Sequence, residues 1–469
     1  MFAIPGILLL ITFIYLRPQE IAPVLQTVPL LYIFFALALF GLAIDWRRRH
    51  LALRATPMLP YAIAFCAWCL ISALIFAPRK VHVNALEIGV PIVLFLITAH
   101  AVQTFRMLHV VGAVLLGVSL TVAAVAIHQG VSSTGCILID EKIVGDQTVG
   151  TYDGRPCETP RECYLGDAEP GGQYLCEKVG LFGTHSVSKG RVRYRGVLQD
   201  PNELALVVGI GLPLAFALGW RRGWPAKWGL TFVAVSIILV CTVLTRSRGG
   251  QLVFLTVLGA YFLRRFGARG ALAGSVLGLP LLALGWRSGA EASTSTLERI
   301  ECWYEAISMF RSNPLLGVGF YQFGEYHYLT AHNSYLLALA ELGLPGFVLF
   351  SIVLYLSAKI PFVVYRRYRE APGLLVRGAA FAGEAYVARV WAMALLASFG
   401  GLLLGIFFLS FVYHPVLWIY VGLSGGLYLA VKRHDPEFEV RLGWRDFAVI
   451  LAANAVLIAA IFLYTRAAV

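Results

Sequence analysis

Charged side chains are scarce in this sequence. Asp, Glu, Lys and Arg make up 14% of its 469 residues, where soluble domains carry about 25%. Hydrophobic residues make up 59%, against roughly 45–50% in soluble domains. A chain so poor in charge cannot cover its surface in water. That excludes a soluble enzyme, a disordered chain and a disulfide miniprotein. Other signatures are missing too. No basic stretch precedes the apolar residues 2–16 and no A-x-A-like cleavage site follows them, so they read as a first span. No H-E-x-x-H, P-loop or G-x-G-x-x-G stands in the context its chemistry needs. No carboxylate pair of the glycosidase kind is evident, and no internal repeat. Neither a metal nor a cofactor is expected.

What is present is a series of apolar runs, and a spanning helix needs about 20 such residues. They fall at 2–16, 28–45, 58–77, 89–105, 108–128, 203–219, 228–245, 250–263, 270–286, 333–358, 387–413, 415–431 and 447–465. The sequence therefore predicts an all-α polytopic membrane protein of 12–13 transmembrane helices. The net charge of +12, from 38 Lys and Arg against 26 Asp and Glu, would suggest nucleic acid in a soluble protein. In a membrane protein it reads as basic cytoplasmic loops, and no nucleic-acid partner is expected. The basic clusters are Arg47–Arg49, then Arg221, Arg222 and Lys227, then Arg264, Arg265 and Arg269, then Arg366, Arg367 and Arg369, then Lys432 and Arg433. Placing all five inside puts the N-terminus in the cytoplasm and the C-terminus outside.

Five regions follow: transmembrane helices over 1–128, an outer loop at 129–202, central transmembrane helices over 203–286, a second outer segment at 287–332, and C-terminal transmembrane helices over 333–469. The second outer segment opens on a polar stretch, Ser288 to Thr296. Leu297, Ile300, Tyr304 and Ile307 then recur at helical spacing up to Arg311, which predicts an amphipathic helix over 296–311 lying against the membrane. Asn313 and Pro314 stop it, and Gly317 and Gly319 are expected to loosen the backbone beyond.

Four of the eight cysteines, Cys136, Cys157, Cys163 and Cys176, share the first outer loop. An even cluster in an oxidising compartment reads as two disulfides in one of three connectivities. Zinc is the rival reading, but the spacing lacks a C-x2-C pair. Cys66 and Cys69 do form a C-x-x-C, but inside an apolar run, where cysteines are usually small hydrophobes.

Three polar clusters fall on the outer edge in this topology, where ionisable groups are costly. The first is Arg195-Gly-Val-Leu-Gln-Asp-Pro-Asn-Glu203. Asp200, Pro201 and Glu203 form a helix-start signal, so Asp200 and Asn202 serve either as caps or as site residues. Arg195 is no N-cap, because it would meet the positive end of the helix dipole. The second is Thr245-Arg-Ser-Arg-Gly-Gly250. Arg246 and Arg248 either snorkel to lipid phosphates or form an anion site, and two guanidinium forks beside glycines favour the anion site. The third is Tyr326-His-Tyr-Leu-Thr-Ala-His-Asn-Ser-Tyr335. Here His332 is the candidate general base, Asn333 caps the helix or orients the imidazole, and His327 ranks second. Arginines beside lipid and a base suggest transfer from a polyprenyl-diphosphate-linked glycan, whose leaving group brings its own energy. The arginines would stabilise that leaving group without a metal.

The pattern R-G-x-x-x-D-P-N at 195–202 and T-R-S-R-G-G at 245–250 resembles the bacterial O-antigen ligase family and its Wzy-type polymerase relatives. So do R-x-x-x-W-x-x-A-x-x-M from Arg299, N-P-L-L-G-V-G at 313–319 and H-N-S-Y-L-L-A-L-A-E-L-G-L-P-G at 332–346. The resemblance implies a GT-C-like, inverting, metal-independent glycosyltransferase of the bacterial inner membrane. It would take a glycan from undecaprenyl diphosphate at the periplasmic face. The acceptor would be lipid A–core, another repeat unit or a protein. The family's essential arginines fall on Arg195 and Arg248 and its essential histidine on His332. Arg246, Asp200, Asn202, Asn333, Arg299 and His327 are the further substrate-binding candidates. The cysteine-bearing loop at 129–194 is longer than the family leads one to expect. A transporter of the same lipid-linked glycan is the non-enzyme alternative. It would carry charges near the bilayer middle, whereas here the charges collect at the outer edge.

Overall fold

The computed structural model describes residues 1–144, 147–187, 190–219, 224–284, 290–369 and 379–468. It is mostly helical. In chain order come α1 (Ala3–Leu16), α2 (Pro18–Ile21), α3 (Leu30–Arg47), α4 (Leu59–Phe76), α5 (Val81–Ala101) and α6 (Phe105–Val131). Three strands follow, β1 (Thr134–Val144), β2 (Gln147–Pro156) and β3 (Tyr174–Lys178). Then come α7 (Pro201–Leu218), α8 (Trp224–Leu244), α9 (Arg248–Leu284), α10 (Ala290–Ser312) and α11 (Phe323–Tyr326). The chain closes with α12 (Ser334–Arg369), α13 (Ala379–Gly405), α14 (Pro415–His434) and α15 (Trp444–Ala468).

Nine described helices are long and apolar enough to cross a membrane, and α1 and the described part of α8 are shorter apolar helices. α9 is a hairpin. Its backbone reverses at Gly267 (φ 67°, ψ −159°), and Phe262 and Leu255 of the first arm lie against Gly274 and Gly278 of the second. The runs expected at 250–263 and 270–286 are its arms as far as Leu284, whereas the run expected at 387–413 is helical only to Gly405. The run expected at 333–358 is broken, because α12 kinks at Gly343 (φ 65°, ψ −168°) before continuing to Arg369. Arg221, Arg222 and Ser288 lie outside the described residues.

The chain forms two compact units. The first comprises Met1–Leu8, Phe34–Gly112 and Arg287–Val469. At its centre α14 is buried along almost its whole length and packs on α5. The approach is close enough that a Cβ on Gly422 would lie 2.6 Å from Thr98 Cβ. Trp418 stacks on Phe65 with ring centroids 6.0 Å apart. The buried Asp45 carboxylate accepts the Ala3 amide at 3.0 Å, fixing the start of α1 on α3.

The second unit comprises Leu9–Ile33 and Ala113–Trp286. α7 is its buried helix, with α8 and α9 packed on it. The segment between α6 and α7 departs from the all-α expectation. It holds a three-stranded antiparallel sheet of order β2-β1-β3. The β-branched and apolar run Cys136–Ile139 carried that signal, but the polar composition around it hid the strand. The four cysteines form two disulfides, Cys136–Cys163 and Cys157–Cys176. Around Tyr174 they make a small core of their own. With all four sulfurs paired, the zinc alternative falls. Cys66, Cys69, Cys241 and Cys302 form no disulfide.

Beside the sheet, His185, Arg193 and Glu177 are buried. The Arg193 Nε donates to the His185 carbonyl at 3.1 Å, and its amide donates to Gln129 Oε1 at 2.9 Å. The Ser186 hydroxyl donates to the Glu177 carboxylate. Burial, reinforced by the neighbouring Arg193, pushes the His185 imidazole down from 6.5 to about 4. The ring is therefore neutral at pH 7.

Two outcomes are expected. First, thiol labelling of the unreduced, detergent-solubilised protein should leave Cys136, Cys157, Cys163 and Cys176 unmodified, each bond contributing about 2–4 kcal/mol. Four loop thiols that react without reductant would refute the pairing. Second, His185 binds a proton more readily when unfolded than folded, so acid destabilises this segment. The loss begins as pH falls through 6.5 and is complete near 4, on the order of 3 kcal/mol in all. Amide exchange of residues 129–202 against pH measures it. His185→Asn should flatten the acid limb, and an unchanged limb would place the sensitivity elsewhere.

Candidate functional site

In the second unit the R-G-x-x-x-D-P-N and T-R-S-R-G-G segments come together. Asp200 caps α7 as its spacing implied. Its side chain accepts the Asn202 amide at 2.5 Å, and Pro201 takes the first turn. Val192 donates its amide to the Leu244 carbonyl at 3.4 Å, which lays the strand-like 191–195 along the end of α8. Arg191 then joins the two segments. Its Nε donates to the Thr245 carbonyl at 3.1 Å, and its Nη2 lies 3.5 Å from Asn202 Oδ1. Sequence inspection passed over Arg191, which lies just outside the motif.

The turn itself is capped from within. The Ser247 hydroxyl accepts the Gly250 amide at 3.0 Å, and Thr245 Oγ1 accepts the Ser247 amide at 3.3 Å. Arg248 is therefore the first residue of α9, at a helix N-terminus where free amides and the dipole favour an anion. Arg246 is exposed in a left-handed conformation (φ 50°). Gly250 is needed for packing, since a Cβ there would lie 2.2 Å from Ala205 Cβ on α7.

Arg195 is engaged with backbone. Its Nη1 donates to the Glu20 carbonyl at 2.5 Å and its Nη2 to the Phe182 carbonyl, while its Nε is buried without a partner. It thus ties residues 18–21 and 181–183 to its own turn. Burial lowers the guanidinium pKa, and it remains a cation.

In the first unit, His332 sits half-exposed at φ 47°, a left-handed conformation rare for a residue with a Cβ. Asn333, fully buried, takes the capping role of the two left open. Its Oδ1 accepts the amides of Tyr335 at 2.9 Å and Leu336 at 3.1 Å. The Ser334 hydroxyl donates to the Leu409 carbonyl at 2.6 Å and the Tyr335 hydroxyl to the Leu403 carbonyl at 3.0 Å, so the end of α13 and the loop beyond it hold the start of α12, next to His332. His327 is built into its own loop. Its Nδ1 lies 3.0 Å from the Leu329 carbonyl and 3.1 Å from the Leu329 amide, and its Nε2 lies 3.6 Å from the Glu301 carboxylate.

α10 carries Arg299, which is partly buried, and the apolar residues expected to lie against the membrane divide between two faces. Ile300, Trp303, Ala306, Ile307 and Met309 face the protein against α12 and α15, while Leu297 (61%) and Tyr304 (49%) are exposed. The helix also starts earlier than expected, at Ala290. Gly317 and Gly319 do the opposite of loosening the chain. Both take positive φ, and Val318 and Gly319 donate their amides to the carbonyls of Ala340 at 2.8 Å and Glu341 at 3.0 Å. A Cβ on Gly317 would lie 2.4 Å from the Glu341 backbone, and one on Gly343 2.4 Å from the Leu315 carbonyl oxygen. The motifs at 313–319 and 340–346 are thus two halves of one backbone joint. The buried Glu341 braces it, accepting the Phe323 amide at 3.1 Å and the Tyr413 hydroxyl at 2.8 Å. Its signal in the sequence was a lone acid in an apolar run.

Residues 233–351 match the family model described as O-antigen ligase. The matched segment holds Arg246, Arg248, Arg299, His327, His332 and Asn333, whereas Arg195, Asp200, Asn202 and the four disulfide cysteines precede it. No curated protein matches the chain.

Proposed function

We propose, from the O-antigen ligase segment at 233–351, that this multi-pass membrane protein transfers a preassembled glycan from undecaprenyl diphosphate to an acceptor. The acceptor is a hydroxyl of lipid A–core or of another repeat unit at the periplasmic face. The observation that carries the reading is the T-R-S-R-G-G turn. It lies inside the matched segment and sets Arg248 on the N-terminus of α9, with Arg246 exposed beside it. A diphosphate leaving group gathers charge as the glycosidic bond breaks. Guanidinium forks and helix amides aimed at that charge lower the barrier without a metal.

His332 is the base in this reading. The attacking acceptor oxygen gives its proton to the imidazole as it bonds to the anomeric carbon, and the diphosphate departs from the opposite face with inversion. Asn333 holds the end of α12, so the strained φ of His332 is fixed by its neighbours. Incubating the purified protein with a polyprenyl-diphosphate glycan, then finding by mass which of lipid A–core, glycan or protein gains mass, tests the reading and names the acceptor. Movement of intact donor across a vesicle membrane, with no product formed, would favour the transporter instead.

Two variants sharpen it. Arg248→Ala should slow transfer by about a hundredfold, and Arg248→Lys should restore only part, because an ammonium lacks the bidentate fork. Wild-type speed in Arg248→Ala would move the anion site elsewhere. His332→Ala should cut the transfer rate by about 10²–10⁴-fold while donor binding stays near normal. An active His332→Gln enzyme would make His332 a packing residue and leave His327 as the next base to test.

A further inference from the structure

The end of the first helix carries a cation that no motif singled out. Arg17 follows α1 in a left-handed conformation (φ 48°, ψ 57°). Its amide donates to the Phe13 carbonyl at 3.0 Å, and its carbonyl accepts the Glu20 amide at 2.9 Å. Its side chain lies directly over Gly196, where a Cβ would stand 2.5 Å from Arg17 Nε and 2.6 Å from its Cγ. The glycine of the R-G pair, itself at φ +56°, is what admits Arg17. The two segments are fastened on both sides of this contact. The Tyr194 hydroxyl donates to the Leu16 carbonyl at 3.0 Å, and Arg195 Nη1 donates to the Glu20 carbonyl at 2.5 Å.

This arrangement sets two guanidinium groups against one turn and leaves both short of acceptors. The Nε atoms of Arg17 and Arg195 are buried without a partner. Among the described residues the acid paired with Arg17 is Glu20, at 3.8 Å, with both side chains about 30% exposed, a weak pair in water. Buried donors without acceptors are rare enough to call for a ligand or ion. Two guanidinium groups held at one turn suit a phosphate or diphosphate. A second role for Arg195 follows, since its Nη groups are already committed to backbone carbonyls.

We infer that Arg17, seated on Gly196, is a donor-binding residue that contacts the diphosphate of the lipid-linked glycan, while the Nη groups of Arg195 hold the turn that presents it. The inference rests on the transferase reading above. The structural alternative is that Arg17 merely pairs with Glu20 to lock the turn.

The experiment uses the full-length purified protein, with donor KM, kcat and the inhibition constant of inorganic diphosphate as readouts. Arg17→Gln should raise the donor KM and the diphosphate inhibition constant by about tenfold or more, with a smaller change in kcat. Glu20→Gln removes the competing carboxylate, so it should leave that constant unchanged or lower. A loss in Glu20→Gln equal to that in Arg17→Gln would overturn the inference, since the ion pair would then be structural. A wild-type inhibition constant in Arg17→Gln would overturn it as well. Arg248→Ala separates the two readings. If it raises the inhibition constant while Arg17→Gln does not, only the role of Arg17 falls. If none of these variants changes transfer or inhibition, the transferase reading falls too. Labelling needs no variant: inorganic diphosphate should slow modification of Arg17 by phenylglyoxal, read by peptide mass in the wild-type protein, and labelling indifferent to diphosphate would overturn the assignment.

Discussion

Hydrocarbon offers a peptide group no hydrogen bond, so a chain this apolar must break its helices only where the freed groups are caught again. The joint at Gly343 meets this constraint most visibly. α12 kinks there, and the carbonyls of Ala340 and Glu341 pass to the amides of Val318 and Gly319, while Leu344 donates to the Pro314 carbonyl at 2.9 Å. The joint demands glycine at 317 and 343, because each backbone lies where the other's Cβ would stand. Everything between the two halves, from the end of α10 to His332, is a closed excursion pinned at its base.

The same economy shapes the polar groups. Two arginines of the second unit are held by backbone and a third by a helix end, while Arg246 beside them is exposed. Arg191 and Arg195 are wired to carbonyls of neighbouring turns, and Arg248 stands on a capped helix end. A rigid lattice of this kind lets a site discriminate a transition-state charge, because its donors need not reorganise when the charge appears. The two disulfides serve a similar end. The sheet they brace is too small to form a large core, and the cross-links stabilise it in place of one.

The interior of α10 shows why motif order and local chemistry can diverge. Its tryptophan and small residues face α12 and α15. Arg299, at the head of the motif, thus belongs to a helix whose apolar side is spoken for by the protein, and only the opposite face, with Leu297 and Tyr304, is open to its surroundings.

Much was legible in the sequence. Hydropathy alone located the nine described helices long and apolar enough to cross a membrane, because an apolar run about 20 residues long is what a span needs. Asp200-Pro201 announced the cap of α7, and the cysteine count announced the disulfides, since both are local chemistry. What the sequence could not decide was anything set by residues far apart in the chain. Cys136 pairs with Cys163 and not with Cys176 across the sheet, which depends on where the fold brings residues 160–164; the buried stripe of α10 depends on its neighbours, and the work of Gly317 on a backbone some twenty-five residues away. Arg17 is the clearest case. In the sequence it is one basic residue after an apolar run, and only the fold lays it across Gly196, because the contact joins residues 179 positions apart that share no pattern.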